Sequence, residues 1–304
     1  MRRLLGVDMN CGMNYTSFPL FCDMRPYTRY EHSIGTALLV HHFTHRTNET
    51  LAALFHDIST PVFSHVVDFR NGDHMVQEST EERTAALIQD DPVIQLLLGE
   101  HGLRVSEVAD YHQYPVADNE SPKLSCDRLE YTLGNAVNYG FEDIAFVKET
   151  VNDLVVAENE EGEAELAFQT GETALNFAYT ALLCGKIYSG RENRFAMETL
   201  ARILKDAVNS GILRPEDLYT EESRVIRLLE ESELKGRWDA FRSYTKVITG
   251  SEEDGLNLDA KRRCIDPLVC GEGRVSSIDP AFAREMMLFQ EESYDEWLKG
   301  VING

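Results

Sequence analysis

No segment of the 304-residue chain approaches the ~20 consecutive apolar residues of a membrane-spanning helix. The opening MRRLLGVDMN also lacks the apolar run of a secretory signal, so a cytoplasmic protein that makes no membrane contact is expected. Six cysteines, at 11, 22, 126, 184, 264 and 270, include no C-x-x-C pair, which speaks against a zinc ribbon or a small disulfide scaffold. Basic residues are scarce: 29 Lys and Arg against 52 Asp and Glu give a formal net charge of −23. Such a field repels polyanions, and nucleic acid is not an expected partner. A small anionic substrate stays open, because a divalent metal and two or three arginines reverse the sign inside one cleft. Internal repeats and low-complexity segments are absent as well.

What is present is an ordinary globular composition, 43% apolar and 27% charged, in a length that suits one large domain with or without an appendage. Apolar spacing near 3.6 predicts helices in EHSIGTALLVHHF, ETLAALFHDI, TEERTAALIQ, PVIQLLLGE and DRLEYTLGNAVNYG. It predicts more in ETALNFAYTALLCGKIY, NRFAMETLARILKDAVNS, TEESRVIRLLEESE and PAFAREMMLFQEESYDEWL. Asn71-Gly72, Asp91-Pro92, Tyr114-Pro115 and Ser121-Pro122 punctuate the pattern, and the acidic run from Glu158 to Glu165 reads as a loop. Beyond about residue 250, KRRCIDPLVCGEGRVSSID suggests one or two strands. The expected organisation is a mainly α domain over 1–250 and a small C-terminal α+β extension over 251–304.

Against this background stands a set of metal-ligand residue types. His32 lies in RYEHSIG, His56-Asp57 in ALFHDIS and Asp127 in CDRLEYT, each in a stretch that reads as helix. Three helices could aim these two imidazoles and two carboxylates at one point, as bundle-core metal sites do. The mixed N/O set suits a divalent Mn, Fe, Co, Ni, Zn or Mg and selects none of them. Four protein ligands on a six-coordinate ion leave places for water and a substrate oxygen, as metal-assisted hydrolysis requires.

With RYEHSIG, HDISTPVFSH and DRLEY in this order and spacing, the chain resembles the HD superfamily of metal-dependent phosphohydrolases. It looks most like the deoxynucleoside triphosphate triphosphohydrolase branch. The resemblance spans roughly 5–250 and implies an HD-domain helical bundle, often assembled as a homo-oligomer. It implies that His32, His56, Asp57 and Asp127 are the metal ligands, Arg29 a phosphate contact, and His65 with Asp68 part of the acid/base apparatus. The chain departs from the branch at Thr60 and Thr80, where histidines are expected, and at Gly134 and Asn135, in place of an arginine and an aspartate. Near Tyr188, Thr180 and Cys184 stand where a triphosphate-binding arginine and histidine would fall. The metal centre is kept while triphosphate and deoxyribose contacts are thinned.

Each role has a plainer alternative. Pro61 reads as a helix start that would set His65 and Asp68 at i,i+3, where the carboxylate can orient and polarise the imidazole; a surface pair has the same spacing. Arg29 and Arg128 can reach phosphoryl oxygens or form structural ion pairs, and Tyr131 can touch substrate or fill the core. His112 can face the cleft or solvent, and Cys126 reads as a small buried helix residue. The function expected from the whole is metal-dependent hydrolysis of a nucleotide or nucleotide-like phosphoester. A metabolite phosphatase or phosphodiesterase, or a weakly catalytic nucleotide-binding regulator, are the alternatives.

Overall fold

A computed structural model describes residues 1–66 and 83–302. Asp68, Thr80 and the Asn71-Gly72 turn lie outside these. Helix α1 (Arg29–Thr44) begins at a capping box: Thr28 Oγ1 accepts the Glu31 N–H, and the Glu31 carboxylate accepts the Thr28 N–H at 2.8 Å. It packs along α2 (Thr47–Phe55). Next come α3 (Thr84–Asp90) and α4 (Pro92–Glu100); Asp91 caps α4, and left-handed Gly102 follows its C-cap His101. Ser125 starts α5 (Cys126–Asn138) and Asp143 starts α6 (Ile144–Asp153), each by accepting backbone N–H groups.

The acidic run expected to be a loop is the turn of a hairpin. Strands β1 (Leu154–Glu158) and β2 (Ala164–Phe168) pair antiparallel, and the Asn159 side chain accepts from the Glu161 and Glu163 N–H groups in the turn. Helices α7 (Gly171–Tyr188), α8 (Arg191–Asn209), α9 (Glu222–Glu230) and α10 (Lys235–Arg242) follow, then β3 (Lys246–Thr249), β4 (Leu256–Asn257), β5 (Leu268–Val269) and β6 (Gly273–Arg274). The chain continues through α11 (Val275–Ile278) and α12 (Pro280–Glu291) to β7 (Trp297–Val301). The last helix is shorter than its sequence pattern, because Trp297–Val301 joins a sheet.

The fold is mainly α with two small sheets, ordered β1-β2-β5-β6 and β3-β7-β4. Both draw strands from either side of residue 250. Among the described residues, two large apolar clusters fill the interior, and a smaller third one joins Phe55, Ile58, Ile88, Leu98 and Val108. Of the two large ones, one gathers Met13, Phe63, Leu200, Trp238 and Phe241 around α8 and α10, and the other packs Val40, Leu129, Phe168, Phe177 and Phe282 around α1, α5 and α7. The functional cavity opens where they meet, since its wall includes Met13 and Met197 of the first cluster and Tyr111 of the second.

Candidate metal centre

Helix α1 contributes Arg29 at its first position and His32 one turn on, while α5 contributes Asp127 in its first turn. The HD pair sits differently from the sequence expectation. Helix α2 ends at Phe55, His56 is its C-cap, and Asp57 lies in the following turn. Pro61 disfavours helical backbone before it, and Thr60 Oγ1 donates to Asp57 Oδ1 at 2.6 Å, so the chain leaves the helix here. His56 itself keeps helical dihedrals, φ −53° and ψ −39°, and its Nε2 still comes within 3.5 Å of Asp57 Oδ2. The helix start expected at Pro61 is displaced too: residues 62–65 form turns, with Phe63 and Ser64 at left-handed φ of 58° and 50°.

Four donor groups converge. His32 Nε2 lies 3.1 Å from His56 Nε2, 3.0 Å from Asp127 Oδ1 and 3.8 Å from Asp57 Oδ2. His56 Nε2 is 3.5 Å from both carboxylates. With bonds of about 2.1 Å, neighbouring ligands of one ion sit about 3.0 Å apart in an octahedron and about 3.4 Å in a tetrahedron, so these separations fit a shared cation. The tautomers fit as well. His32 Nδ1 is bonded to the Glu130 carboxylate, and His56 Nδ1 faces the Ala53 carbonyl at 2.6 Å, which leaves both Nε2 lone pairs pointing at each other. Two lone pairs at that distance repel unless a cation or proton lies between them. A divalent metal is the cofactor this donor set accommodates.

The surroundings hold the donors in charge and place. Burial alone would raise Asp57, but Arg29, ahead of His56 and His32, holds it far below the carboxylate range. The Arg29 guanidinium, itself buried, donates from Nη1 to Asp57 Oδ2 at 2.9 Å and from Nε to Ser64 Oγ. Glu130 and Asp127 outweigh the effect of burial and raise His32 to about 10, so without a cation a proton occupies the cluster, and a bound metal would take its place. Tyr111 lies over the His56 ring with centroids 4.8 Å apart. Arg128 is tied down: Nη1 donates to Asn119 Oδ1 at 2.7 Å and pairs with Asp118 at 3.2 Å.

Arg29, His32, His56, Asp57, His65, His112, Asp127, Arg128 and Tyr131 all line one cavity of about 250 Å³. His112 pairs with Asp118 at 3.3 Å. Asp68 lies outside the described residues. Cys126 is wholly buried, and burial pushes its thiol far up, so it stays a packing residue.

Sequence reasoning assigned no role to Glu130, whose carboxylate also receives the Tyr27 hydroxyl proton. Its signal was legible: three residues after Asp127, it shares that face of α5. Lys261 and Arg263, which reach the cavity wall from the C-terminal segment, carried no such signal.

Residues 29–129, which contain all four donors, match the family model of the HD domain. The chain is 27% identical over 251 residues to an uncharacterized protein of Bacillus subtilis, YdhJ, covering 80% of this chain and 74% of that one. It is 27% identical over 260 residues to the metal-dependent phosphohydrolase cns2 of Cordyceps militaris, covering 81% and 72%. The HD-domain match over residues 29–129, the likeness to a metal-dependent phosphohydrolase and the donor geometry together support a metal-dependent hydrolase acting on phosphoesters. No described helix is long and apolar enough to cross a membrane.

Proposed function

We propose that the enzyme hydrolyses the phosphoester of a nucleotide or nucleotide-like molecule, with His32, His56, Asp57 and Asp127 as the ligands of its divalent ion. The observation that carries this reading is the pair of opposed Nε2 atoms at 3.1 Å, flanked by two carboxylates on the wall of a single cavity. When bound, the ion supplies Lewis acidity toward a phosphoryl oxygen and lowers the pKa of a coordinated water. Arg29 orients Asp57 and offsets its charge. His65 gives a proton to the departing ester oxygen. Tyr131 is a substrate contact, whereas Arg128, expected from the sequence to be another, is held by Asn119 and Asp118. The aromatic wall of Phe21, Tyr131, Tyr139 and Tyr188 supports a planar ring as the leaving group's body.

A smaller phosphoester is favoured over a triphosphate by what the departing positions do. Thr60 serves Asp57, Thr180 donates to Glu142 at 2.8 Å, and Cys184 is wholly buried in the core. The test is hydrolysis by metal-analysed, Mn-supplemented protein across dNTPs, NTPs, nucleoside monophosphates and cyclic dinucleotides, with products resolved. Inorganic phosphate or a monophosphate as product supports this reading. Tripolyphosphate plus nucleoside would return the enzyme to the triphosphohydrolase branch, and tight nucleotide binding without any product would favour a regulator.

A further inference from the structure

The turn that carries Asp57 leaves two carbonyls in need of a partner. Ile58 and Thr60 are both buried, and among the described residues no backbone N–H bonds the oxygen of either. An unpaired buried carbonyl is costly, so the donor has to come from elsewhere. Arg3 supplies it: Nη2 donates to the Ile58 carbonyl at 2.8 Å and to the Thr60 carbonyl at 2.7 Å. A guanidinium NH2 group carries two hydrogens, which suits two acceptors on one side of a turn. The side chain comes from a short 3-10 helix, Arg2–Gly6, 55 and 57 residues before its two acceptors.

Thr60 ties this hold to the metal centre. Its carbonyl is taken by Arg3, while its hydroxyl donates to Asp57 Oδ1 at 2.6 Å and its N–H to the Asp57 carbonyl at 3.0 Å. Arg3 therefore reaches Asp57 through one intervening residue. The same N-terminal stretch also holds the other side of the centre. The Val7 carbonyl accepts the Arg29 N–H at 2.9 Å where α1 begins, and the Asp8 carbonyl accepts the Ser64 hydroxyl proton at 3.1 Å. Burial lowers the Arg3 pKa, and Asp57 is the foremost influence against it, so the guanidinium stays within the field of that carboxylate.

We propose that Arg3 is a positioning residue of the metal centre, holding the turn after α2 so that Asp57 keeps its place among the donors. The inference rests on the ligand assignment above and extends the centre to the N-terminal segment. The test is chelator-competition titration of Mn into wild type, Arg3→Gln, Arg3→Lys and, as a control, the exposed neighbour Arg2→Gln, with Tm measured for the apo and Mn-loaded forms. Arg3→Gln is expected to weaken Mn binding about 10-fold and to shrink the rise in Tm that Mn produces. Arg3→Lys keeps the charge and loses the planar fork, so it is expected to recover part of this, at about 3-fold below wild type. Should Arg3→Gln fail to fold, Arg3→Lys decides. Wild-type Mn affinity in the folded Arg3 variant, with only the apo Tm lowered, overturns the proposal and leaves Arg3 as a residue of the fold. An equal loss of affinity in Arg2→Gln would show a general effect of charge and overturn it as well. A wild type that takes up no Mn would sink the metal centre and the proposal together. Arg3-dependent Mn binding in a protein that hydrolyses no phosphoester would uphold the positioning role while sinking the hydrolase reading.

Discussion

Glu130 fixes His32 as the Ala53 carbonyl fixes His56, by occupying Nδ1 and turning Nε2 toward the other donors. Two glycines make room for it. A Cβ at Gly35 would lie 2.5 Å from Glu130 Oε1, and one at Gly134 would lie 2.8 Å from the Tyr27 hydroxyl oxygen. Glu130→Gln is therefore expected to lower metal affinity by about 10- to 100-fold in a chelator competition titration, and unchanged affinity would refute the role. A second carboxylate makes stability depend on pH. Burial first, and Glu222 second, raise Asp8 from 3.8 to about 7. Because the folded state holds this proton more tightly than the unfolded chain, Asp8 contributes stability below about pH 4 that is lost as pH rises through about 7. Asp8→Asn should flatten the fall in Tm across that window and melt above the wild type near pH 8. A wild-type pH profile in the variant would contradict this. Glu130 was legible only in its place one turn after Asp127, since its partners His32 and Tyr27 lie 98 and 103 residues away. Glu222 was not: it accepts from the Asp8 and Phe63 N–H groups, 214 and 159 residues distant, and no periodicity encodes that.

At the scale of elements, helices were read well where local chemistry and tertiary demand agree. PVIQLLLGE is α4 from end to end because Asp91, Pro92 and Gly102 mark its limits. The HD turn was misread as helix because its departure depends on Thr60 bonding Asp57, a contact made for the site. The hairpin β1-β2 was missed because its polar turn outweighed the short alternation on either side, and β7 because Trp297 and Leu298 continue the helical pattern while their pairing partner β3 lies about 50 residues earlier. The capping box at the start of α1 sets Arg29 and His32 on their shared face. Thr28→Ala should cost about 1 kcal/mol in urea unfolding, since both reciprocal bonds are weakened. A loss indistinguishable from zero would mean that packing alone starts this helix.

Over the whole molecule, the tail reads as part of the enzyme's core and less as an appendage. Arg274 of β6 forms a bidentate pair with Glu165 of β2, at 2.6 and 2.8 Å, and Glu165 is wholly buried. Removing 251–304 would strand that carboxylate, at a cost of about 3–5 kcal/mol against a total of about 5–15. It would also strip Phe282 and Phe289 from the core around α7. Residues 1–250 alone are expected to show no cooperative urea transition, and a cooperative transition with metal binding retained would restore an independent helical domain. The central claim, that one cluster of His32, His56, Asp57 and Asp127 both holds the ion and drives hydrolysis, is tested most directly by measuring metal content and phosphate release together. Wild type and Asp57→Ala would be stripped with chelator and reloaded with Mn. The account expects the wild type to regain metal and turnover together and Asp57→Ala to regain neither. A variant that keeps both would contradict it.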